Sequence, residues 1–322
     1  MNIIFQMISL KKNGIGIFIL AYKRLNHLKK TIYRLKKFIH TNDTIHIFMD
    51  NFSDDQTSLE IKKIKAVKKY LNNLDKKKFT VIFRKERFGM KKNWILAYDY
   101  MFKKYKKVIC LEDDILIKES FINFMVFYLN YYEKNNKIMN ITGFGTKIKI
   151  PKKYSYDCYL TKRSMSWGQG SWRRVWTKFS KMKKDHKFII TNKVNKLKLI
   201  SCGEDLLRTM TLDYLKLVES IQVWWIWNII RNNGLSINPI NSLVDNIGYD
   251  GTGYHTKLSK KFPKNFGIIS NRKRMLKIDF DQKLNGQFVE KFKIKTLTFN
   301  LFNILPIKLI EILLKLKKNF KI

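Results

Sequence analysis

Three adjacent carboxylates, Glu112, Asp113 and Asp114, follow the apolar run 108–111 in a chain with 65 Lys and Arg but only 25 Asp and Glu. Carboxylates crowded in this way repel one another, and the arrangement is costly unless a cation or hydrogen-bond donors neutralise it. Hard oxygen ligands suit Mg2+ or Mn2+, which keep water positions and bridge substrate phosphates. Side chains alternate along an extended segment, so Glu112 and Asp114 should face one way and Asp113 the other. A solvated acidic turn is the plainer alternative. Asp50 ends the run 45–49, where it could accept from a base N–H or a ribose hydroxyl, or else close a turn. Arg24 lies just past the run 15–22 and offers a guanidinium able to clamp phosphate bidentately. The cluster WGQGSWRR at 167–174 combines a flat aromatic platform, Trp167, with glycines that let backbone approach a ligand. The same cluster could be the buried start of a helix. A polar glycine-rich segment, NIGYDGTGYH at 246–255, ends on His255, a candidate partner for a metal or a phosphate if it is more than a surface loop.

The elements that must position these residues can be read from periodicity. Apolar runs at 15–22, 45–49, 79–83 and 108–111 read as strands, and helical spacing fills 25–39, 59–71 and 90–102 between them. Such alternation implies βαβ units and a mostly parallel sheet, whose ligands bind outside the carboxyl ends of the strands. Lys23-Arg24, Asp50 with Asp54-Asp55, and the acidic triplet should therefore converge on one rim. The second half is less regular. Helices are expected over 121–132, within 167–179, and over 206–217 and 221–231, with a strand at 138–142 and loops at 143–157 and 246–255. From Pro306 onward the chain reads as a basic amphipathic helix. Ile307, Ile310, Leu313 and Leu314 share a face, and Lys308, Lys315, Lys317 and Lys318 surround it. That helix suits an anionic membrane surface or a seat on its own domain.

Composition bounds the alternatives. The 322 residues are 45% hydrophobic and 14% aromatic, enough for a sizeable core and against disorder of the whole chain. A net charge of +40 favours anionic partners. Lys, Asn and Ile are nevertheless abundant throughout, and the charge alone does not establish nucleic-acid binding; none is expected. The three cysteines, Cys110, Cys158 and Cys202, are widely spaced and form neither a disulfide framework nor a zinc motif, which fits a reducing, cytoplasmic compartment. The N-terminus is a poor signal peptide, and no apolar stretch is long enough to span a bilayer.

Taken in order, the segments LAYKR (20–24), MDNFSDD (49–55), KKNWILAYDYMF (91–102), LEDDI (111–115), WGQGSWRRVW (167–176), GEDLLRTM (203–210) and NIGYDGTGYH (246–255) resemble GT-A glycosyltransferases. The likeness covers roughly residues 14 to 256, and LEDDI and the tryptophan–glycine cluster are its specific parts. It is nearest to bacterial sugar transferases of surface polysaccharide and lipopolysaccharide synthesis and extends distantly to N-acetylglucosaminyltransferase I. The resemblance implies an α/β GT-A fold: a Rossmann-like, mostly parallel sheet flanked by helices, an irregular acceptor-side half, and a C-terminal amphipathic helix. Residues 1–145 would hold the nucleotide-sugar, 146–260 the acceptor and catalytic groups, and 261–322 a basic extension. It implies Asp114 as direct ligand of Mn2+ or Mg2+, with His255 in the loop that closes over the diphosphate. Glu112 and Asp113 would hold the nucleotide and donor sugar, Arg24 the diphosphate, Asp50 the uracil or ribose, and Lys91 the nucleotide, with Trp167 beside the sugar.

The activity so implied is transfer from a nucleotide-sugar, a UDP-sugar first, to a glycan or lipid-linked acceptor. An inverting transfer needs a carboxylate to deprotonate the acceptor hydroxyl. Glu204, Asp205 and Glu219 are the acids near helix starts in the second half, where capping is their ordinary use. Relatives often carry an Asp-Ser-Trp segment, and the aligned residues here are Glu219, Ser220 and Ile221, which leaves Glu219 or Asp205 as the base. Two rivals stand beside this reading. A sugar-phosphate nucleotidyltransferase shares a similar sheet and acidic site, but its glycine- and lysine-containing phosphate loop is missing after the first strand. A non-enzymatic basic binder would leave the acids at the strand ends without a purpose.

Overall fold

The computed structural model describes residues 9–251 and 278–319. The first half is built as the periodicity predicts. β1 (Ile15–Ala21), α1 (Leu25–Phe38), β2 (Ile45–Met49), α2 (Ser58–Asn72), β3 (Phe79–Phe83), α3 (Gly89–Lys104) and β4 (Lys107–Glu112) follow in turn. β1 lies at the centre of this half and pairs in parallel with both neighbours, Ile17 meeting Ile45 on β2 and Ile109 on β4. Helices cover both faces, so β1 and β2 can be apolar and buried almost throughout. α1 lays Leu28, Ile32 and Leu35 on the sheet and ends on Lys36 and Lys37, which suit the negative end of its dipole.

Past the acidic triplet come β5 (Ile115–Ile117), α4 (Ser120–Tyr131), β6 (Ile138–Thr142), β7 (Cys158–Thr161), β8 (Gln169–Trp172) and α5 (Arg173–Ser180). They are followed by α6 (His186–Thr191), α7 (Lys193–Ile200), α8 (Glu204–Tyr214), α9 (Ile221–Arg231), β9 (Leu235–Pro239) and β10 (Val244–Asn246). After a 3-10 turn, Ile247–Asp250, the described chain resumes near α10 (Gln282–Glu290), α11 (Thr296–Ile304) and α12 (Ile307–Asn319). The large sheet runs β3-β2-β1-β4-β8-β6-β9-β7, parallel through its first half and mixed beyond β4, where β8 enters antiparallel between β4 and β6. A small antiparallel pair, β5 and β10, lies next to the triplet.

Sequence periodicity did not predict β5, β7, β8, β9, β10 or the helices α6, α7, α10 and α11. The segment 167–179 divides into a strand and a helix, and Asn246 closes β10 where a loop was expected. Several buried positions of the second-half strands are polar, and their side chains bond to one another across the sheet. Asn140 on β6 accepts from Gln169 Nε2 of β8 at 2.7 Å and from Trp225 Nε1 of α9 at 3.0 Å, and donates to Ser236 Oγ of β9 at 2.9 Å. Asn238 donates to Thr161 Oγ1 at 2.7 Å. Each bond offsets the several kcal/mol (about 1–3) that an unpaired buried polar group costs. An aromatic cluster fixes the helices over the sheet: Trp94 of α3 and Trp176 of α5 meet Trp225 of α9, and Tyr98 stacks on Trp176 at 5.2 Å. Among the described residues no helix is long and apolar enough to cross a membrane.

Candidate active site

β4 delivers the triplet to the carboxyl rim of the sheet, and α1 grips it from beside. Thr31 Oγ1 donates to the Asp113 carbonyl at 2.8 Å. Arg24, one residue before α1, sends Nη2 to Asp113 Oδ1 and Nη1 to Asp114 Oδ2, the latter at 2.8 Å. One guanidinium thus faces a buried pair of carboxylates. Burial works against the Arg24 charge, and Asp113 and Asp114 more than offset it, so its pKa rises. Burial, then the neighbouring Asp114 charge, raises the Glu112 carboxyl, against the pull of Arg24 and the nearby Ser166 hydroxyl. Burial raises Asp113 too, against the pull of Arg24.

The 3-10 turn after β10 closes over this group. Ile247 N–H donates to the Asp114 carbonyl at 3.0 Å, and His27 of α1 reaches Asp250 Oδ2 at 3.1 Å. A Cβ added at Gly248 would lie 2.1 Å from Asp114 Oδ2 and 2.8 Å from Arg24 Nη1, so a larger residue there would have to push one of those side chains aside. Tyr249, whose hydroxyl burial pushes up to about 12, stands edge-on to Trp167 at 5.6 Å. Trp167 in turn meets Phe144 at 4.5 Å. The structure therefore brings Arg24, Glu112, Asp113, Asp114 and Trp167 to one place. It adds His27, Thr31, Ser166, Gly248 and Tyr249, of which only the glycine-rich turn left a mark in the sequence.

One atom of the triplet is unlike the rest. Asp114 Oδ1 is buried and has no hydrogen-bond partner among the described residues. A buried orphan oxygen among three acids, with a single guanidinium against them, fits a divalent cation that completes its shell with phosphate and water oxygens. Among the described residues no group of three or more His, Cys, Asp or Glu side chains is arranged to hold a metal ion by itself. His255 lies outside those residues.

The remaining candidates are occupied differently. Asp50 is buried and accepts from the backbone N–H groups of Asn51 and Phe88 at 2.9 Å and of Gly89 at 3.0 Å, which fastens β2 to the start of α3. Burial raises its carboxyl against those three donors. Glu219 is exposed and borders the same turn: a Cβ on Gly89 would come 3.5 Å from Glu219 Oε2. Asp205 lies in the first turn of α8, two residues after Gly203, whose φ of +139° is open to glycine. Arg163 holds it bidentately, at 2.6 and 2.9 Å, while lying 3.6 Å over the Phe292 ring. Glu204 Oε2 accepts from Ile294 N–H at 3.1 Å. Arg163 bonds to Asp205, and Ser166 lies near enough to Glu112 to lower its carboxyl. The segment between β7 and β8 thus carries the partner of Asp205 and, three residues on, Ser166.

Lys91 reaches Asp213 Oδ2 at 3.4 Å. Asp213, which no spacing in the sequence marked, is buried within α8. It also accepts from His186 Nε2 at 2.7 Å, Trp224 Nε1 at 2.8 Å and Ser220 N–H at 3.0 Å. Burial opposes its charge, and these donors hold it below the ordinary carboxylate range. Asp213→Ala should cost about 2–4 kcal/mol in urea unfolding, because a buried N–H of Trp224 and the Ser220 amide lose their acceptor. The depressed folded pKa makes this contribution present above the unfolded value, about 4, and lost as pH falls through the folded one. The wild-type advantage over the variant should therefore shrink on acidification below about pH 4.

No curated protein sequence matches the chain at a significant level. Among solved structures, the mannosyltransferase PcManGT from Pyrobaculum calidifontis, described in complex with GDP-Man and Mn2+, is 8% identical with a TM-score of 0.37, and the match covers 68% of each chain. Residues 1–349 of S. aureus TarS, in complex with UDP-GlcNAc, are 10% identical with a TM-score of 0.41 over 71% of this chain and 57% of that one. GalNAc-T7 with UDP, GalNAc and Mn2+ is 11% identical with a TM-score of 0.43 over 70% and 42%. Residues 16–190, more than half of the chain, match the sequence pattern of the Glycosyl transferase family 2. That span holds Arg24, the triplet, Arg163 and Trp167 on an α/β sheet of GT-A type, and the chain accordingly belongs to glycosyl transferase family 2.

Proposed function

We propose that this protein transfers a sugar from a nucleoside diphosphate sugar, a UDP-sugar first, to a hydroxyl of a glycan or lipid-linked acceptor, with inversion, in surface polysaccharide or lipopolysaccharide synthesis. The observation that carries the reading is the buried Oδ1 of Asp114, without a partner among the described residues, just past β4 and beside Arg24. Asp114 would hold Mn2+ or Mg2+, which supplies charge stabilisation for a departing nucleoside diphosphate. Arg24 offers the same diphosphate a bidentate donor pair. Trp167, edge-on to Tyr249 and Phe144, presents an aromatic wall suited to a sugar ring. Asp205, which Arg163 holds, would take the acceptor proton as the anomeric carbon passes through an oxocarbenium-like state.

Incubation with a panel of nucleotide-sugars and Mn2+ or Mg2+ should release a nucleoside diphosphate from at least one of them. Release of pyrophosphate instead would reassign the site to nucleotidyl transfer. Gly248→Ala, whose Cβ must displace Asp114 or Arg24, should lower kcat/KM at least ten-fold, about 1.4 kcal/mol, with the thermal midpoint kept within a few degrees. A normal kcat/KM for that variant would detach the turn from the site.

A further inference from the structure

α12 has more apolar surface than its packing uses. Ile307, Ile310 and Leu314 form one stripe against the core. Leu309, Ile312, Leu313 and Leu316, spaced i, i+3, i+4 and i+7, form a second stripe that is exposed, Ile312 to 52%. α11 repeats the pattern: Phe302 is buried, while Leu297 and Ile304, seven residues apart, stand 83% and 69% exposed. Scattered exposed apolar residues are ordinary, but six on two consecutive helices at helical spacing are a face.

The charges around that face point to its occupant. Lys295, Lys308 and Lys315 are exposed beside it, and the one acid of α12, Glu311, is already paired to Lys315 at 2.7 Å. α7 lies alongside, its Lys196 reaching the carbonyl of Asn303 at the end of α11. An apolar stripe rimmed by lysines, on helices too short to span a bilayer, has the chemistry of an interfacial anchor. We infer that α11 and α12 dock this protein on an anionic lipid bilayer, the leucine and isoleucine side chains entering the acyl boundary and the lysines contacting headgroup phosphates. The anchor starts right after the segment braced on the start of α8, where Ile294 N–H meets Glu204 and Phe292 carries Arg163. Docking would thus present the Asp205 side of the site to acceptors borne by the membrane, a corollary that rests on the proposed transfer; the docking itself does not.

The test is flotation of the full chain with phosphatidylglycerol-rich vesicles and with phosphatidylcholine vesicles at about 0.15 M salt, a readout that involves no sugar transfer. The comparison variant, Leu309→Gln/Ile312→Gln/Leu313→Gln/Leu316→Gln, keeps every charge, so attraction due to the +40 net charge alone is unchanged in it. The wild type should float with the anionic vesicles, and the variant should partition at least about ten-fold more weakly with an unaltered thermal midpoint. Equal partition of the two proteins, or no flotation of the wild type, overturns the inference. So does sedimentation showing a wild-type dimer that the variant dissolves, since the face would then belong to a second copy of the chain.

Discussion

Asp114→Ala is expected to remove metal-dependent sugar transfer almost entirely while the protein stays folded. A cation that steadies a departing diphosphate contributes several kcal/mol to the transition state, and about 4 kcal/mol corresponds to about a thousand-fold in kcat/KM. Folding should survive because Arg24 keeps Asp113 as its partner and because one of three crowded acids has gone. The check is kcat/KM at saturating Mn2+, read beside the Mn2+-induced shift in thermal midpoint. Both should vanish together. Full activity in the same metal would sink the role given to Asp114, and a lost activity with an intact Mn2+ shift would move the metal elsewhere.

Asp205→Asn should lower kcat by about 10²- to 10⁴-fold, the range for a lost general base, with the donor KM nearly unchanged. The amide is isosteric with the carboxylate, and Arg163 keeps its seat on Phe292, so the loop that leads to Ser166 should hold its place. Glu219→Gln separates the two candidate bases. Glu219 is exposed and borders Gly89 at the Asp50 end of the rim, and its replacement should change kcat by less than about three-fold. Steady-state rates at varied donor and acceptor check both. A large kcat loss in Glu219→Gln, with Asp205→Asn active, would exchange their roles.

The parts of the fold that could be read in advance share a physical cause. β1, β2, β3 and β4 belong to a parallel stretch of sheet, and β1 and β2 are covered on both faces, so their sequences are near-continuous apolar runs. β8 and β9 are just as buried, yet they carry Gln169, Ser171, Ser236 and Asn238 and read as loop composition. β5 and β10 have three residues each, too few for any period to show. The site divides in the same way. Arg24 and the triplet stood out as charges at strand ends and do meet. Asp50 and Lys91 stood out equally, but the structure shows them bonded to backbone amides and to Asp213, partners that only the folded chain supplies. Asp213 and Arg163 gave no signal because a lone Asp or Arg on a polar stretch has no spacing to distinguish it.

The hydrogen-bonded set around Asn140 bears on how the chain avoids assembling wrongly. Apolar strands can slide past one another at modest cost, because one methyl group replaces another. β6, β8 and β9 are not free in this way. A slip of one residue would turn Asn140 away from Gln169, Ser236 and Trp225 together and would strand several donors and acceptors in a dry interior. Mispaired states are thereby pushed up in energy while the native one gains little. The polar strands that looked least like a core act as a proofreading device for strand register, in the half of the sheet where antiparallel and parallel neighbours alternate.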